Sequence, residues 1–527
     1  MRSETARPRT ASPDADPSGA PDGEPEAVGS APDGTVPEES AEASTGHGRL
    51  FGRSLVYVVV WSLELVIATV ASPITVNILS PTQFGALATA IAISQILNIF
   101  ATLGLDQVVM LRAAEDASGR AGRRLVAAAV LIALTMSTLL LLTAPFWLAA
   151  LGLVDFHDLV MAVIAWVVPG SILSLSMALL VAQDRLVPFA VVGSLSALGG
   201  PAAGVVALLT ISADATTYVW ATAAVKGVAA VVALIAVLPL PRGVVEFRQT
   251  AGALALGLPL AFGYVSDFVL NAGDRLIIQR LLGFEEVGRY QIAYIVGSAA
   301  LILLVYLNGS WLPRIAEIRD ASERRRLAAR SRDELYRLVT PVVLGTVLGT
   351  PAVLTVIAPE RLGLPGLLPV VLLVVLSVFP AVASGATERI LITSRRGKTV
   401  VFVTLVAALA NIGLNFALIP LLGIVGSAAA TLLAYCVMAV VQLALLPGRS
   451  DWRRPAARVV LPAVAASGLA ALSLLLPWND LSNLLRFVAA VACLPWFFAV
   501  LLSARRRLDA PADETPTAEP TAPRGTR

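Results

Sequence analysis

LSPTQFGALATAIAISQILNIFATLGLDQVVMLRAAE, from Leu79 to Glu115, decides how the rest of the chain is read, because it recurs. Its counterpart is LGFEEVGRYQIAYIVGSAALILLVYLNGSWLPRIAE, from Leu282 to Glu317. Each copy begins with Leu and carries an apolar residue before a glycine (Phe84-Gly85 and Val287-Gly288). Each then runs apolar for the thickness of a membrane and ends in Arg-x-Ala-Glu (Arg112 to Glu115, Arg314 to Glu317). The second copy is one residue shorter. There is also a weaker pair: QDR at Gln183 and TSRRGK at Thr393 close the fourth and tenth apolar runs. Repetition on this scale marks a duplicated architecture.

A helix needs about 20 apolar residues to cross the hydrocarbon core. Working outward from the two copies, such runs lie at about 54–76, 84–105, 125–148, 158–181, 187–210, 216–238, 253–281, 288–311, 336–358, 366–393, 399–419, 424–446, 458–476 and 484–503. Their length and uniform apolarity predict helices and exclude a barrel. The loops test the count. With a cytoplasmic N-terminus, the inside loops carry RAAEDASGRAGRR, QDR, PRGVVEFRQ, RIAEIRDASERRRLAARSRDELYR, SRRGK and GRSDWRRPAAR, and the outside loops carry SPTQ, GLVDFHD, SADATT, GFEEVGR, APERLGLPG, PLLG and PWNDLSN. Arg and Lys fall heavily on one side, as the positive-inside rule requires. A missed or invented span would reverse the pattern beyond the error.

The expected fold is therefore an all-α integral membrane protein of about fourteen transmembrane helices, with both termini cytoplasmic. Each repeat holds six spans, so the halves share one orientation and form parallel lobes around a central cleft. The expected organisation is an arm at 1–48, an N-lobe at 49–250, a C-lobe at 251–447, two extra helices at 448–507 and a tail at 508–527.

Composition agrees. The 527 residues are 57% hydrophobic and 14% charged, against about 25% charged in soluble domains. The arm and tail are rich in Pro, Ala, Ser, Thr, Gly, Asp and Glu, too polar to offset chain entropy by burial, and predict disorder. A charged, Pro-rich arm ahead of the first apolar run is not a secretory signal. The net charge of +3 is carried almost wholly by Arg in short loops; only Lys226 and Lys398 are Lys. That distribution tracks membrane topology and does not indicate nucleic-acid binding. Cys436 and Cys493 lie in apolar runs and read as small core residues, so no disulfide framework is expected.

Ionisable groups inside spans are costly and should face an aqueous cleft or one another. Glu64 lies mid-span in the first helix and Asp267 in the seventh; each precedes its repeat glycine, Gly85 or Gly288, by 21 residues. They read either as a coupling site for a proton or monovalent cation, or as acids buried against an Arg or a helix end. In the seventh span, Asp267, Asn271 and Asp274 are spaced to share one helical face, with Arg275 beside them. That stripe either lines the cleft, with Asp274 a further coupling-ion or proton acid and Asn271 a polar lining residue, or forms an intramembrane ion pair. Gln95, Asn98, Thr102 and Asp106 in the second span, and Asn411 and Asn415 in the eleventh, fit interhelical packing. Lys226, Arg275 and Arg389 are the deepest cations and the candidates for binding an anionic head group. Arg112 and Arg280 fit snorkelling to the interface.

Three segments carry a family likeness. ILSPTQFGALATAIAISQILNIFATLGLDQVVMLR resembles the opening hairpin of polysaccharide exporters and O-antigen-type flippases. LPLAFGYVSDFVLNAGDRLIIQRLLGFEEVGRYQIAYIV is similar to their seventh helix and the start of the eighth, with its Asp-Arg pair and Glu-x-Gly-x-Tyr turn. ANIGLNFALIPLLGIVGSAAATLLAY resembles their helix 11–12 hairpin. The likeness extends from about residue 50 to 505. It implies the multidrug/oligosaccharidyl-lipid/polysaccharide exporter superfamily, alternating access between two lobes, and a polyprenyl-pyrophosphate-linked glycan as substrate. A lipid-linked peptidoglycan precursor flippase and a drug/cation antiporter are alternatives within that superfamily.

Enzymatic readings find little support. GKT at Gly397 ends like a phosphate loop, but Ile392 stands where the leading glycine belongs. The two His residues, His47 and His157, lie in the arm and in an outside loop, so no His-based metal site or triad is expected. A membrane polysaccharide polymerase or ligase would need a large outside loop with acids or bases. No cofactor is expected, and a scaffold role is the weakest alternative.

Overall fold

The computed structural model describes residues 70–115, 120–153, 156–237, 247–309 and 311–509, with single positions at 59, 60, 63 and 67. Glu64, the arm at 1–48 and the tail from 510 onward lie outside them. Every regular element among the described residues is helical.

α1 is described over 70–78. The next spans are α2 Pro81–Thr102, α3 Gly122–Leu142, α4 His157–Ala182, α5 Leu186–Thr210, α6 Ala215–Val237 and α7 Arg248–Leu282. α8 is a bent pair, Phe284–Gly297 and Ala299–Val305, turning by 50°. Then come α9 Ala321–Ile357, α10 Leu364–Thr393, α11 Gly397–Leu422, α12 Ile424–Ala444, the shorter α13 Ala457–Ser473 and α14 Asp480–Ala504. Eleven of these are long and apolar enough to cross a membrane, and the bent pair makes twelve. The remaining two of the fourteen expected are α13, with 17 residues, and α1, which lies largely outside the described residues.

Local chemistry sets the ends. Ser80 accepts a hydrogen bond from the Gln83 N–H at 3.2 Å and Pro81 occupies the first turn of α2, a standard start. α2 stops because Leu103 and Gly104 both take left-handed backbone, φ 50° and 71°; a short helix, Leu105–Glu115, continues beyond this break. α9 has 37 residues, roughly 55 Å at 1.5 Å per residue, far more than a bilayer core of about 30 Å. Its surplus is the Arg-rich first half, capped by Asp320, which accepts from Glu323 N–H at 2.7 Å. Arg486, 2% exposed, donates to the Ser473 and Leu476 carbonyls, both at 2.7 Å, and so satisfies the orphan acceptors at the end of α13.

Helices α2–α6 pack on one another around α4, and α7–α12 pack on one another around α10 and α12; α13 and α14 lie against α9. The two sets join chiefly through α2, which touches α8 near Ser80 and α7 near its other end. A Cβ added at Gly85 would lie 1.7 Å from the Phe284 carbonyl oxygen, and one at Gly288 would lie 2.5 Å from that of Pro81. Only glycine fits such an approach. Gly85 and Gly288 are the repeat-equivalent glycines, so the two copies meet reciprocally, as a pseudo-two-fold axis demands. At the opposite end, a Cβ on Gly104 would lie 2.4 Å from the Gly257 carbonyl oxygen.

Candidate functional site

α7 carries Asp267, Asp274 and Arg275 of the charged groups that the sequence singles out, and its path decides where each one faces. Residues Val269–Gly273 form a π-helical turn. One inserted residue rotates the remainder of the helix by about 100°. Asp267 and Asn271 lie on the exposed side, whereas Asp274 is turned inward and is 1% exposed. The common face expected for Asp267, Asn271 and Asp274 does not form, because that spacing argument requires an unbroken α-helix. The face expected along α2 breaks for a similar reason: Leu103 and Gly104 separate Asp106 from Gln95, Asn98 and Thr102.

Asp274 and Arg275 form a buried ion pair, Nη1 to Oδ1 at 2.8 Å. Tyr290 donates its hydroxyl to Asp274 Oδ2 at 2.5 Å. Arg275 Nε donates to Gln291 Oε1 at 3.0 Å, and Nη1 also reaches the Asn271 carbonyl. The guanidinium stacks over Tyr294, 4.2 Å from the ring centroid, a favourable cation–π position. Tyr435 on α12 donates to Asn271 Oδ1 at 3.3 Å. The charges here are thus met by partners on α7 and α8, and α12 joins the network through Asn271.

Arg389 is also inside this helix set. It is 4% exposed and donates to Ser331 Oγ at 3.4 Å. Its neighbour Glu388 is only partly buried and feels the charge of Asp267. On α11 and α12, Asn415 donates to Asn411 Oδ1 at 3.0 Å and accepts from Ser427 at 2.7 Å, which is interhelical packing.

Lys226 has a different setting. It lines a cavity of about 310 Å³ between the short helix Leu105–Glu115, α4, α5 and α6, together with Asp106, Gln107, Ser174, Ser196 and an apolar wall that includes Met110, Met177 and Phe189. Its ammonium stands over Trp166, 4.9 Å from the ring centroid. Here too there is a π-helical turn, Leu195–Gly199, and it supplies Ser196. Asp106 Oδ2 accepts from Gln107 Nε2 at 3.2 Å, while Oδ1 is buried and has no hydrogen-bond partner among the described residues. From the other helix set, Tyr264 stands beside Gln107, within Coulombic reach of both Asp106 and Asp267. Tyr264 thus brings α7, which also carries Asp267, up to Asp106 and Gln107 at the border of the cavity. Trp166, Gln107 and Tyr264 gave no signal in the sequence, since each is unremarkable within its own helix.

The three cations expected to share one cleft therefore occupy three settings: Lys226 in the cavity, Arg275 in the buried network and Arg389 against α9. No group of three or more His, Cys, Asp or Glu able to hold a metal occurs among the described residues.

A family model described as "Polysaccharide biosynthesis protein" matches residues 53–319, just over half of the chain. The chain belongs to the polysaccharide biosynthesis protein family. No curated protein sequence matches it. Three solved structures place this polysaccharide biosynthesis protein among known folds. One is "Lipid II flippase MurJ, inward closed conformation", with a TM-score of 0.63 and 13% identity over 87% of this chain and 99% of that one. A multidrug resistance MATE family transporter of the MOP superfamily in its inward-facing conformation gives 0.53 and 14%, over 78% of this chain and 99% of that one. An outward-facing MATE family transporter gives 0.50 and 14%, over 79% and 95%. At such identities the likeness is one of fold: this family member is an integral membrane protein built like MOP-superfamily transporters.

Proposed function

We propose that the protein carries a lipid-linked oligosaccharide or polysaccharide precursor from the inner to the outer leaflet of the cell membrane by alternating access. The observation that carries this reading is the Lys226 cavity, bordered by Asp106 and Gln107, with Tyr264 of the other helix set beside Gln107. The family match directs it to polysaccharide assembly. A polyprenyl-pyrophosphate-linked glycan is a multivalent anion with a lipid tail, and stripping its head group of water in an open bilayer is prohibitive. A cavity with a fixed cation replaces part of that hydration, while the tail stays in lipid. Helices α2–α6 and α7–α12 act as the two lobes, and the Arg-rich loops and both termini face the cytoplasm. Asp267 and Glu64 serve as acceptors for the coupling proton or monovalent cation, with Asp274 fixing the C-lobe end of α7. Arg275 and Arg389 contribute field from within the C-lobe.

The test is the fate of the precursor. In cells whose only copy is Lys226→Ala, at normal protein level, surface polysaccharide falls and lipid-linked precursor accumulates on the cytoplasmic leaflet. Normal surface polysaccharide in that strain removes the electrostatic basis of the reading. One observation favours a second reading: the fold likeness to a lipid II flippase covers 87% of the chain. Under that alternative, depletion stops wall synthesis and lyses the cells while other surface polysaccharide is still made.

A further inference from the structure

Arg361 lies in the loop between α9 and α10, within the short 3-10 turn Glu360–Leu362. Its Nη2 donates to three carbonyls at the junction of α1 and α2: Val76 at 3.1 Å, Asn77 at 3.2 Å and Leu79 at 2.7 Å. These are the last carbonyls of α1 and the turn into α2. They are the unpaired acceptors that a helix end leaves behind, at the pole where the helix dipole favours a cation. The contact is reciprocal, because Asn77 Nδ2 donates to the carbonyl of Ile357, the last residue of α9, at 3.3 Å.

The loop that presents Arg361 is itself held by α8. Arg289 Nε donates to the Leu362 carbonyl at 3.0 Å, and its Nη1 pairs with Glu286 at 2.7 Å. Gly363, with φ 64°, and Gly366 pass so close that an added Cβ would come within 3.4 and 3.2 Å of that guanidinium. Arg289 directly follows Gly288, the glycine that meets α2. One turn of α8 therefore governs both contacts at this end of the molecule.

We propose that Arg361 is the latch holding the Ser80 end of the two helix sets together, that Arg289 positions it, and that opening this end begins when Arg361 leaves the end of α1. The inference rests on the alternating-access reading and adds to it a specific release step. It differs from an ion-pair gate, because the acceptors are main-chain carbonyls. Side-chain changes at residues 76, 77 and 79 leave those acceptors in place, so Arg361's own hold is weakened only from the arginine side or by displacing α1, while a change at Asn77 removes its own bond to the Ile357 carbonyl.

The test is a distance measurement on the purified full-length protein, with Cys436→Ala and Cys493→Ala as background. Spin labels at Ser212→Cys and Glu285→Cys report on the Ser80 end; labels at Ala114→Cys and Ser394→Cys report on the opposite end. Arg361→Ala raises the open-to-closed population ratio at the Ser80 end by roughly tenfold or more, the scale of one lost charged hydrogen bond. Arg289→Ala raises it less, and Arg361→Lys, which keeps one ammonium donor, falls between wild type and Arg361→Ala. The opposite end does not open. An unchanged Ser212–Glu285 distribution in folded Arg361→Ala overturns the latch, as does equal loosening of both ends. If Arg361→Ala is too unstable to purify, the Arg361→Lys and Arg289→Ala distributions decide by the same criterion. Because the readout is distance and not export, a shift with no effect on any glycan would leave the latch standing and remove the substrate reading.

Discussion

Two intramembrane charge sites sit beside π-helical turns, and they have opposite character. The Lys226 cavity is roomy and partly open, and one of its carboxylate oxygens, on Asp106, has no hydrogen-bond partner among the described residues. The Asp274–Arg275 site is closed, with its charges met by Tyr290, Gln291 and the Asn271 carbonyl. A charge in a membrane helix is thus not a site in itself. What separates the two is whether neighbouring helices complete its hydrogen bonds. On the proposed reading the cavity exchanges partners, whereas the ion pair ties α7 to α8.

The largest effect that could break this contrast is on stability. Arg275→Met leaves Asp274 buried with Tyr290 as its remaining partner and is expected to destabilise the protein by about 3–5 kcal/mol, the scale for halving a buried ion pair. Replacing both members, Asp274→Leu with Arg275→Met, recovers much of that loss because no uncompensated charge remains. Lys226→Met is expected to cost far less, since Lys226 is only half-buried and water in the cavity can solvate the groups facing it. Thermal unfolding of the detergent-purified variants checks the order. Equal melting temperatures for Arg275→Met and Lys226→Met would erase the distinction between the two sites.

Much of the fold was legible because membrane length and repeat spacing are one-dimensional signals. The repeat that begins at Leu79 and Leu282 anticipates the Gly85–Gly288 contact, although only the structure shows these glycines touching each other. The sites were less legible, for two physical reasons. Spacing of three and four residues maps a face only along an unbroken α-helix, and the breaks at Val269–Gly273 and at Leu103–Gly104 carry little sequence signal. Partners across helices are also invisible to periodicity. Nothing local to Trp166 says that it will meet Lys226, or local to Tyr264 that it will stand by Gln107. Glu64, the expected partner in symmetry of Asp267, lies outside the described residues.

A middle-sized effect sharpens the comparison from the transport side. Asp267 is exposed on α7, whereas Asp274 is tied into a buried ion pair, so on the proposed reading it is Asp267 that exchanges a proton or cation. Asp267→Asn is expected to slow export by roughly 5- to 150-fold, the span of a typical coupling free energy, with folding unchanged; Glu64→Gln is expected to act alike. Export in proteoliposomes under an imposed ion gradient measures this. Normal rates in both variants would make the acids structural and remove the coupling role.

The smallest effect lies outside the membrane, at the start of the helix that carries Lys226. Asp214 accepts from the Thr217 N–H at 2.8 Å and the Thr217 hydroxyl at 3.0 Å, and also takes the Ser212 hydroxyl. Partial burial pushes its carboxyl up, but these donors outweigh burial and hold it below its usual range. α6 is anchored a second time by Ala215 N–H to Gln83 Oε1 at 2.9 Å, so the cavity wall does not depend on the cap alone. Losing the cap in Asp214→Ala is therefore expected to cost only about 1 kcal/mol at neutral pH. The sign of the pH dependence comes from the lowered value. The stabilisation is complete above the unfolded carboxylate pKa of about 3.9 and fades as pH falls through the lower folded value. Wild type and Asp214→Ala should therefore differ by a constant amount across neutral pH and converge only in strong acid. A difference that varies near neutrality would mean that Asp214 is coupled to a group inside the cavity, and the outer cap and the Lys226 site would then be one unit.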